Sequence, residues 1–496
     1  MSLTRKKSLA ALLAQAEQSH LKRTLTAKSL IALGIGAIIG AGLFIRTALA
    51  AGGNAGPAVV LSFVVGAIGC AFAGLCYAEF AAMIPIAGSA YTYAYTTMGE
   101  FTAWTIGWAL ILEYAMGAGT VAIGWSQYLN RLLISLFGSP VPYEWCHSPM
   151  EVSDAGVRGI INLPGLFIIF ILTALLVKGT QESATVNAII VAVKVAIVII
   201  FIVIGWKFIN PANHVPFTIP ANYPDHEGIF KHGWGGVLGG AGVVFFAFIG
   251  FDAVSTAAQE TKNPGRDMPI GIMGSLAVCT VLYILFGYVL TGVANWTEFI
   301  KAGKEASVAY AVQQHMPGFG WLATAITVAV LFGFSSVILV MLLGQSRVFY
   351  SMANDGLLPK VFSEVHPKFC TPYKCNITLF FFVGTMVAFV PDSLLGNLTT
   401  IGTLFAFVLV SIGIWMMRRA QPDIPRPFRT PLVPLVPILG ALVCSAMIVG
   451  MDRYTQLTAL CWMLLGFVVY FLYSRGHSKL NTPEPEIGAV APSTAR

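Results

Sequence analysis

Twelve long apolar runs leave this chain few ways to fold in water. A membrane-spanning α-helix needs about 20 consecutive, mainly apolar residues, and the 496-residue sequence contains twelve runs of roughly that length. We number them α1 to α12, at about residues 28–50, 57–84, 98–130, 163–179, 184–208, 234–258, 269–293, 319–350, 376–392, 394–418, 432–450 and 455–474. Only 10% of the residues are charged and 56% are hydrophobic, whereas soluble domains have about 25% and 45–50%. We therefore predict an all-α integral membrane protein with twelve transmembrane helices.

The positions of lysine and arginine between these runs predict the orientation of the chain. Cytoplasmic segments of membrane proteins carry an excess of these two residues. With the N-terminus in the cytoplasm, twenty of them fall inside and eight outside, while Lys194 lies within α5. We therefore expect both termini in the cytoplasm and a multi-pass location in the plasma membrane. The net charge of +7 follows from this topology, so nucleic acid is not an expected partner.

The two ends of the chain have different expected structures. Residues 1–27 form a basic segment whose apolar positions recur with helical spacing, namely Leu9, Leu12, Leu13 and Ala16. Such a pattern is typical of a helix lying on the membrane surface, and a cap over the cytoplasmic loops is an equally good interpretation. Residues 475–496 contain three prolines, and we predict a disordered cytoplasmic tail.

The helices divide into two sets of five with matching first members. The first set covers residues 28–208 and the second 234–418, and α11 and α12 follow at 432–474. Glycines interrupt both α1, in GIGAIIGAG from residue 34, and α6, in GGVLGGAGVVFFAFIGFD from residue 235. Five helices per set require opposite orientations, and inverted repeats with broken helices mark transporter binding sites. Close packing of small residues between helices is the alternative interpretation.

A break in α1 and α6 would offer both poles that a zwitterion needs. The second half of α1 would begin with free N–H groups at the positive end of a helix dipole, suited to a carboxylate: Gly40, Ala41, Gly42 and Leu43. Freed carbonyls would accept from an ammonium group, and the candidates are Ile38, Ile39, Phe246, Ala247 and Ile249. The substrate would then be recognised by backbone alone, and glycine would allow it to approach closely.

Few side chains inside the spans are suited to shaping the pocket. Phe246 is the candidate gate over the substrate, although packing is the usual role of phenylalanine in a membrane helix. Glu113 in α3 would line the route to the substrate side chain or pair with Lys194, and Asp252 would brace the second half of α6 or contribute to the pocket.

Lys194 is the most unusual residue in the spans. A charge near the bilayer centre costs about 2.5–3.5 kcal/mol on an insertion scale, and buried lysines exchange protons readily. Protonated Lys194 would join carbonyls of α1 near Gly40 to hydroxyls of α8, for which Ser335 and Ser336 are the candidates. A fixed ion pair between Lys194 and Glu113 is the alternative.

Motifs for enzymatic or ATP-driven chemistry are absent from the sequence. It contains no GxxxxGK[ST], HExxH or GxSxG pattern, and its eight cysteines lack the spacing of a metal site. We expect no metal and no cofactor, and an ion gradient, with H⁺ as the coupling ion, as the energy source.

Three strings resemble the amino acid–polyamine–organocation superfamily, and within it the cationic amino acid transporter family. They are GIGAIIGAGLFI at 34–45, LCYAEFAAMIPIAGSAYTYAYTTMGE at 75–100 and FFAFIGFDAVSTAAQETKNPGRDMPIGI at 245–272, and the similarity spans about residues 25–475. The resemblance implies the five-plus-five inverted-repeat fold of LeuT type, a zwitterion bound between α1 and α6, and an α5 lysine in proton coupling. Those roles fall on Gly40, Ala41, Gly42, Phe246, Ala247, Ile249 and Lys194.

The number of helices bears on the expected substrate. Vertebrate members of the cationic family look like fourteen-helix proteins, whereas this chain has twelve predicted helices, as its bacterial relatives do. We expect proton-coupled symport of neutral L-amino acids such as alanine. Alternatives are exchange of amino acids or polyamines, transport of arginine or lysine, and a receptor that binds without transport. The expected partners are the substrate and membrane lipid, and nothing in the sequence specifies an accessory subunit.

Overall fold

The computed structural model describes most of the chain. The described residues are 5–7, 23, 25–84, 86, 89–153, 155–179, 184–224, 226–302, 307–369 and 371–481. Their regular structure is helical, apart from isolated bridges that pair Leu25 with Thr261 and Val152 with Arg158.

Helix occupies all twelve predicted apolar stretches. The first six are α1 (Ala27–Ile38, then Gly42–Arg46, Thr47–Ala50 and Ala51–Ala55), α2 (Val59–Met83), α3 (Glu100–Leu110, Ile111–Met116 and Gly117–Phe137), α4 (Leu163–Lys178), α5 (Ala184–Gly205) and α6 (Gly233–Phe245, Phe246–Phe248 and Asp252–Glu260). The others are α7 (Pro264–Val293), α8 (Gly320–Asn354), α9 (Tyr373–Phe389), α10 (Asp392–Ala420), α11 (Leu435–Val449) and α12 (Arg453–Val469, then Tyr470–Ser474). Short helices Ser89–Thr97, Trp296–Ala302 and Val308–His315 lie in the connections.

Length and composition qualify many of these helices to cross a membrane. Among the described residues, eight helical stretches are long and apolar enough, and four further apolar helices are shorter: the first part of α1, and α4, α9 and α11. Large apolar side chains of α12 are exposed, including Leu457, Leu464 and Leu472, as expected of a surface that meets lipid. The prediction of an all-helical membrane protein is confirmed, and the twelve-crossing inverted repeat stays a prediction.

Small residues let α1 pack closely against α7. A Cβ at Gly271 would lie 2.6 Å from Cβ of Leu30, and one at Gly34 would collide with the Ser275 side chain. α7 also packs along α2, and α8 packs along α3. From Gly34 onward the residues of α1 are nearly all buried, so this helix and α6 lie inside the bundle.

The chain ends differ from the prediction in one respect. The predicted tail begins at residue 475, yet Arg475–His477 and Lys479–Asn481 form helical turns. Ser478 is buried and donates to Glu100 at 2.5 Å, and Arg5 donates to Asn481 at 2.7 Å. These polar contacts hold residues 475–481 in place, whereas the sequence composition predicts that they belong to the disordered tail. The apolar stripe predicted at residues 9–16, and the prolines of the tail, lie outside the described residues.

Candidate substrate-binding site

α1 is interrupted inside the bundle. Its first half ends at Ile38, and Ile39 leaves the helix with an extended backbone (φ −72°, ψ 103°). A bend at Gly40 follows, and a π-helical segment begins at Gly42. N–H groups in the first turn of a helix have no acceptor in that helix and lie at its positive end. The N–H groups of Ala41 and Gly42 are therefore suited to an anion.

Leu43 is a correction to the predicted set of donors. Its N–H donates to the carbonyl of Gly40 at 3.2 Å, and the N–H of Phe44 points to the same oxygen at 3.5 Å. The chain re-enters a helical turn directly after the bend, so the third N–H already has an acceptor. The prediction of a free N–H at Leu43 is wrong, and the donor set is shorter than predicted.

α6 is interrupted at a matching place. A 3₁₀ turn, Phe246–Phe248, ends at Ile249, whose backbone is extended (φ −58°, ψ 136°). Gly250 then has φ +113°, in a region that residues with a Cβ rarely adopt. The chain continues as the 3₁₀ segment Asp252–Glu260. Glycine at position 250 therefore permits the break.

The two interruptions lie against each other. A Cβ at Gly42 would collide with Cα and N of Ala247, and one at Gly250 would lie 2.9 Å from the carbonyl oxygen of Ala37. Glycine at position 42 thus serves the close approach of α1 to α6. The sequence reasoning assigned this glycine to the approach of the ligand, and the structure shows a backbone contact there instead.

Tyr283 of α7 connects the two interruptions through its hydroxyl group. Its Oη lies 3.1 Å from the carbonyl oxygen of Ile38 and 2.9 Å from that of Ala247. The side chain is fully buried, and its ring lies 5.3 Å from the ring of Phe248. Sequence reasoning missed this residue, because an apolar helix gives no signal for the direction of one tyrosine.

The predicted carbonyl acceptors are therefore not equivalent. The single hydroxyl hydrogen of Tyr283 is shared between the carbonyls of Ile38 and Ala247, and the carbonyl of Phe246 accepts from the N–H of Ile249 at 3.4 Å. A carbonyl oxygen has two lone pairs, so each keeps a capacity to accept from an ammonium group. The carbonyls of Ile39 and Ile249 complete the predicted set.

Phe246 lies beneath an arginine. The guanidinium of Arg46 is 5.5 Å from the Phe246 ring centroid, within the range of cation–π attraction. Arg46 also donates to the backbone carbonyl of Asp392 at 3.0 Å and forms an ion pair with its carboxylate at 3.3 Å. Phe246 is 5% exposed, so the ring and this ion pair close one side of the site. Sequence reasoning missed the pair because its partners are 346 positions apart.

Glu113 and Asp252 are brought together in the core. Both are fully buried, their carboxyl groups are neighbours, and the hydroxyl of Tyr114 donates to Asp252 at 2.5 Å. Among the described residues, the side chains that interact with the Glu113 carboxyl group are those of Asp252 and Thr403, and neither of its oxygens accepts a hydrogen bond from Lys194. The alternative of a fixed ion pair between Glu113 and Lys194 is therefore wrong. No cluster of His, Cys, Asp or Glu among the described residues is arranged to hold a metal.

Lys194 contacts α1 just before its interruption. Its Nζ donates to the carbonyl of Gly36 at 2.9 Å, and the residue is 2% exposed. On α8 the stem passes Gly333, where a Cβ would lie 2.7 Å from Lys194 Cε. Of the two predicted serines, Ser335 donates within its own helix to Leu331 at 2.9 Å, and Ser336 is buried. The ammonium group thus links α5 to the first half of α1.

These features define a class of protein. The chain is an all-helical, multi-pass membrane protein in which two interrupted helices meet at a buried site made of backbone groups. The amino acid permease family matches residues 25–483. The chain belongs to this family, within the amino acid–polyamine–organocation superfamily.

Similar proteins include bacterial and plant transporters. The branched-chain amino acid permease BcaP of Bacillus subtilis (strain 168) is 44% identical over 485 residues, which cover 97% of this chain and 99% of the relative. The methylthioribose transporter of the same organism is 40% identical over 480 residues, with coverage of 97% and 99%. Cationic amino acid transporter 4, vacuolar, of Arabidopsis thaliana is 35% identical over 404 residues, which cover 82% of this chain and 64% of the relative.

Proposed function

We propose that this protein is a proton-coupled symporter of neutral L-amino acids in the plasma membrane, working by alternating access. Its preferred substrates are those with apolar side chains, from alanine to the branched-chain amino acids. The observation that carries the proposal is the meeting of the two interrupted helices. One side of this junction offers the N–H groups of Ala41 and Gly42, and the other offers carbonyls near Ile39 and Ile249.

Such a junction is suited to a molecule with a carboxylate and an ammonium group on neighbouring atoms. Charged groups buried without partners are costly, and the two helix interruptions supply those partners from the backbone. Two residues of α6 at the junction, Phe246 and Ala247, have apolar side chains and are buried. An apolar substrate side chain therefore fits better than a charged one.

The relatives support this substrate class in part. The name of the Bacillus subtilis relative at 44% identity refers to branched-chain amino acids, which have neutral, apolar side chains. The relative at 40% identity is named for methylthioribose, a sugar derivative without a carboxylate or an ammonium group. Methylthioribose would leave the N–H groups and the carbonyls of the junction without a charged partner. We therefore consider it a less suitable substrate than an amino acid.

A cationic substrate is the second candidate. Glu113 and Asp252 form a buried pair of acids with no cation among the described side chains hydrogen-bonded to Glu113. A guanidinium or ammonium side chain that reached this pair would find acceptors there. The plant relative at 35% identity carries a cationic amino acid name.

Lys194 is the proposed site of proton coupling. Protonated, its ammonium group holds the first half of α1 through Gly36. Neutral, it no longer donates a charge-assisted hydrogen bond there, and such bonds are roughly twice as strong as neutral ones. The proton would thus change the free energy of the α1–α5 contact, as a bound cation does in ion-coupled carriers.

The test is thermal stabilisation of the purified protein in detergent by a panel of ligands. Leucine and alanine should raise the unfolding temperature, because a ligand that binds only the folded protein stabilises it. Isocaproate, which lacks the ammonium group, and isoamylamine, which lacks the carboxylate, should not. Stabilisation by arginine but not leucine would favour the cationic alternative, and stabilisation by methylthioribose alone would overturn the amino acid proposal.

A further inference from the structure

An open cavity of about 990 Å³ lies at the start of α7, away from the α1–α6 junction. Three basic residues line its mouth: Arg23, Lys262 and Arg266. All three side chains are exposed. Within the described part of the chain no acidic side chain lines the cavity, and Asp267 of the first α7 turn is buried below it. The mouth therefore carries a concentrated positive charge.

The start of α7 adds to this charge. The helix is 30 residues long, and its N-cap residue Asn263 makes no capping hydrogen bond with its side chain. The positive end of the helix dipole thus faces the same opening as the three basic side chains. An anion in the mouth would meet the three basic side chains and this helix end, against one buried carboxyl group in the first turn, that of Asp267.

The floor of the cavity is apolar. It includes Ile270 and Met273 of α7, and Leu75 and Phe428 on the opposite wall. At a rise of about 1.5 Å per residue, Met273 lies roughly 14 Å along the axis from Pro264. α7 is long and apolar enough to cross a membrane, and we therefore place its first turn at headgroup depth and Met273 at the depth of the acyl chains. Ile270 is 40% exposed, which suits a lipid contact.

One wall of the cavity belongs to the segments that lead into the interrupted helices. The N–H of Leu25 donates to the carbonyl of Glu260 at 2.9 Å, and the N–H of Lys262 donates to Leu25 at 2.9 Å. The start of α1 is thereby paired with the end of α6. A ligand held by Arg23 and Lys262 contacts both segments at once.

The opposite wall is anchored to the body of the protein. It is formed by the α10–α11 connection, where Pro427 lies 2.7 Å from the position of a Cβ at Gly265. Glu79 at the end of α2 holds this connection, since it accepts from Arg418 at 3.0 and 2.7 Å and from the N–H of Thr430 at 2.8 Å. The cavity thus lies between a fixed wall and a wall connected to the substrate site.

We propose that this cavity binds an anionic phospholipid. Its phosphodiester interacts with Arg23, Lys262 and Arg266, and an acyl chain lies along Ile270 and Met273. Basic pockets at membrane-surface ends of helices recognise anionic headgroups, and a soluble anion would leave the apolar floor exposed to water. A bound lipid would join the α1–α6 pair to the α10–α11 connection, so lipid occupancy would set the rate of transport.

The test is lipid binding by delipidated protein, measured by native mass spectrometry with phosphatidylglycerol as the probe. The double variant Lys262→Gln/Arg266→Gln should bind it about 25-fold more weakly, because each basic residue near an anionic surface contributes roughly a five-fold factor. Lys360→Gln/Lys368→Gln, two exposed lysines on the same predicted side, is the matched control and should bind like the wild type. Ile270→Glu, which places a negative charge on the floor, should also lose binding while all three basic residues remain.

Three outcomes would overturn the proposal. One is equal retention of phosphatidylglycerol by the wild type and both cavity variants. Another is equal affinity for phosphatidylcholine, which would mean that the basic residues do not distinguish an anionic from a zwitterionic headgroup. The third is displacement of the lipid by inorganic phosphate alone, which would indicate a soluble anion site. Binding is measured without substrate, so failure here is distinguishable from failure of the proposed transport activity.

Discussion

Single residues give the junction its chemistry. The N–H groups of Ala41 and Gly42 and the carbonyls around Ile39 and Ile249 form two poles, and Tyr283 fixes the distance between the helices that carry them. The sequence predicts the poles from matching glycine-rich interruptions in two helices, although Gly42 itself serves the close approach of α1 to α6. It cannot predict Tyr283, whose role depends on where a third helix packs.

Tyr283→Phe removes the hydroxyl that bridges Ile38 and Ala247 and leaves the ring contacts unchanged. Hydrogen bonds between membrane helices contribute about 0.6 kcal/mol on average, so we expect a small loss of thermal stability. Leucine uptake should fall by more than the small loss of stability accounts for, because the carbonyls of Ile38 and Ala247 no longer share the Tyr283 hydroxyl group. The control is Tyr288→Phe on the same helix, and equal uptake in both variants would show that the hydroxyl does not organise the site.

At the scale of the helices, the sequence predicts where a helix breaks but not which residues of two helices come into contact. The breaks in α1 and α6 occur where the glycines predict them, since Ile38 and Phe248 end their helical segments. The donor predicted at Leu43 is wrong because its N–H turns back to the carbonyl of Gly40, three residues earlier, and this tight turn has no pattern in the sequence. The contact of Gly42 with Ala247, and that of Arg46 with Asp392, join distant parts of the chain, and no single helix carries information about them.

Gly42→Ala tests the contact between the two interrupted helices. The added methyl group would collide with the backbone of Ala247, which cannot move aside as a flexible side chain can. We expect α1 and α6 to separate, with loss of leucine binding and a lower unfolding temperature. In Gly53→Ala, a control later in α1, the new Cβ has nothing within 4 Å. Normal binding by Gly42→Ala would mean that this close approach is not required.

At the scale of the molecule, ion pairs join distant parts of the chain around the candidate site. On one side Arg46 and Asp392 lie over Phe246. On the other side Lys7 forms an ion pair with Asp355 at 2.9 Å, and Arg5 with Glu100 at 3.4 Å. The distribution of lysine and arginine in the sequence predicts which side is cytoplasmic. The ion pairs of Arg5 and Lys7 with distant residues cannot be predicted in this way, because they depend on how the helices pack. In the proposed alternating access, these two sets of ion pairs would open in turn.

Asp392→Asn weakens the closure over Phe246 and keeps the backbone carbonyl that Arg46 also uses. A partly exposed ion pair contributes up to ~1 kcal/mol, so we expect the dissociation rate of leucine to rise by about five-fold. Stopped-flow or surface-based binding kinetics in detergent would measure it. A faster association rate with unchanged dissociation would place this ion pair outside the closure.

Proton-coupled uptake through Lys194 is the proposed mechanism. The most direct measurement is leucine uptake into sodium-free proteoliposomes, with and without an inward proton gradient, for the wild type, Lys194→Met and the exposed-lysine control Lys207→Met. We predict gradient-driven accumulation in the wild type and in Lys207→Met, and none in Lys194→Met. Accumulation by Lys194→Met with the wild-type dependence on the gradient, or wild-type uptake only into vesicles loaded with amino acid, would contradict the claim.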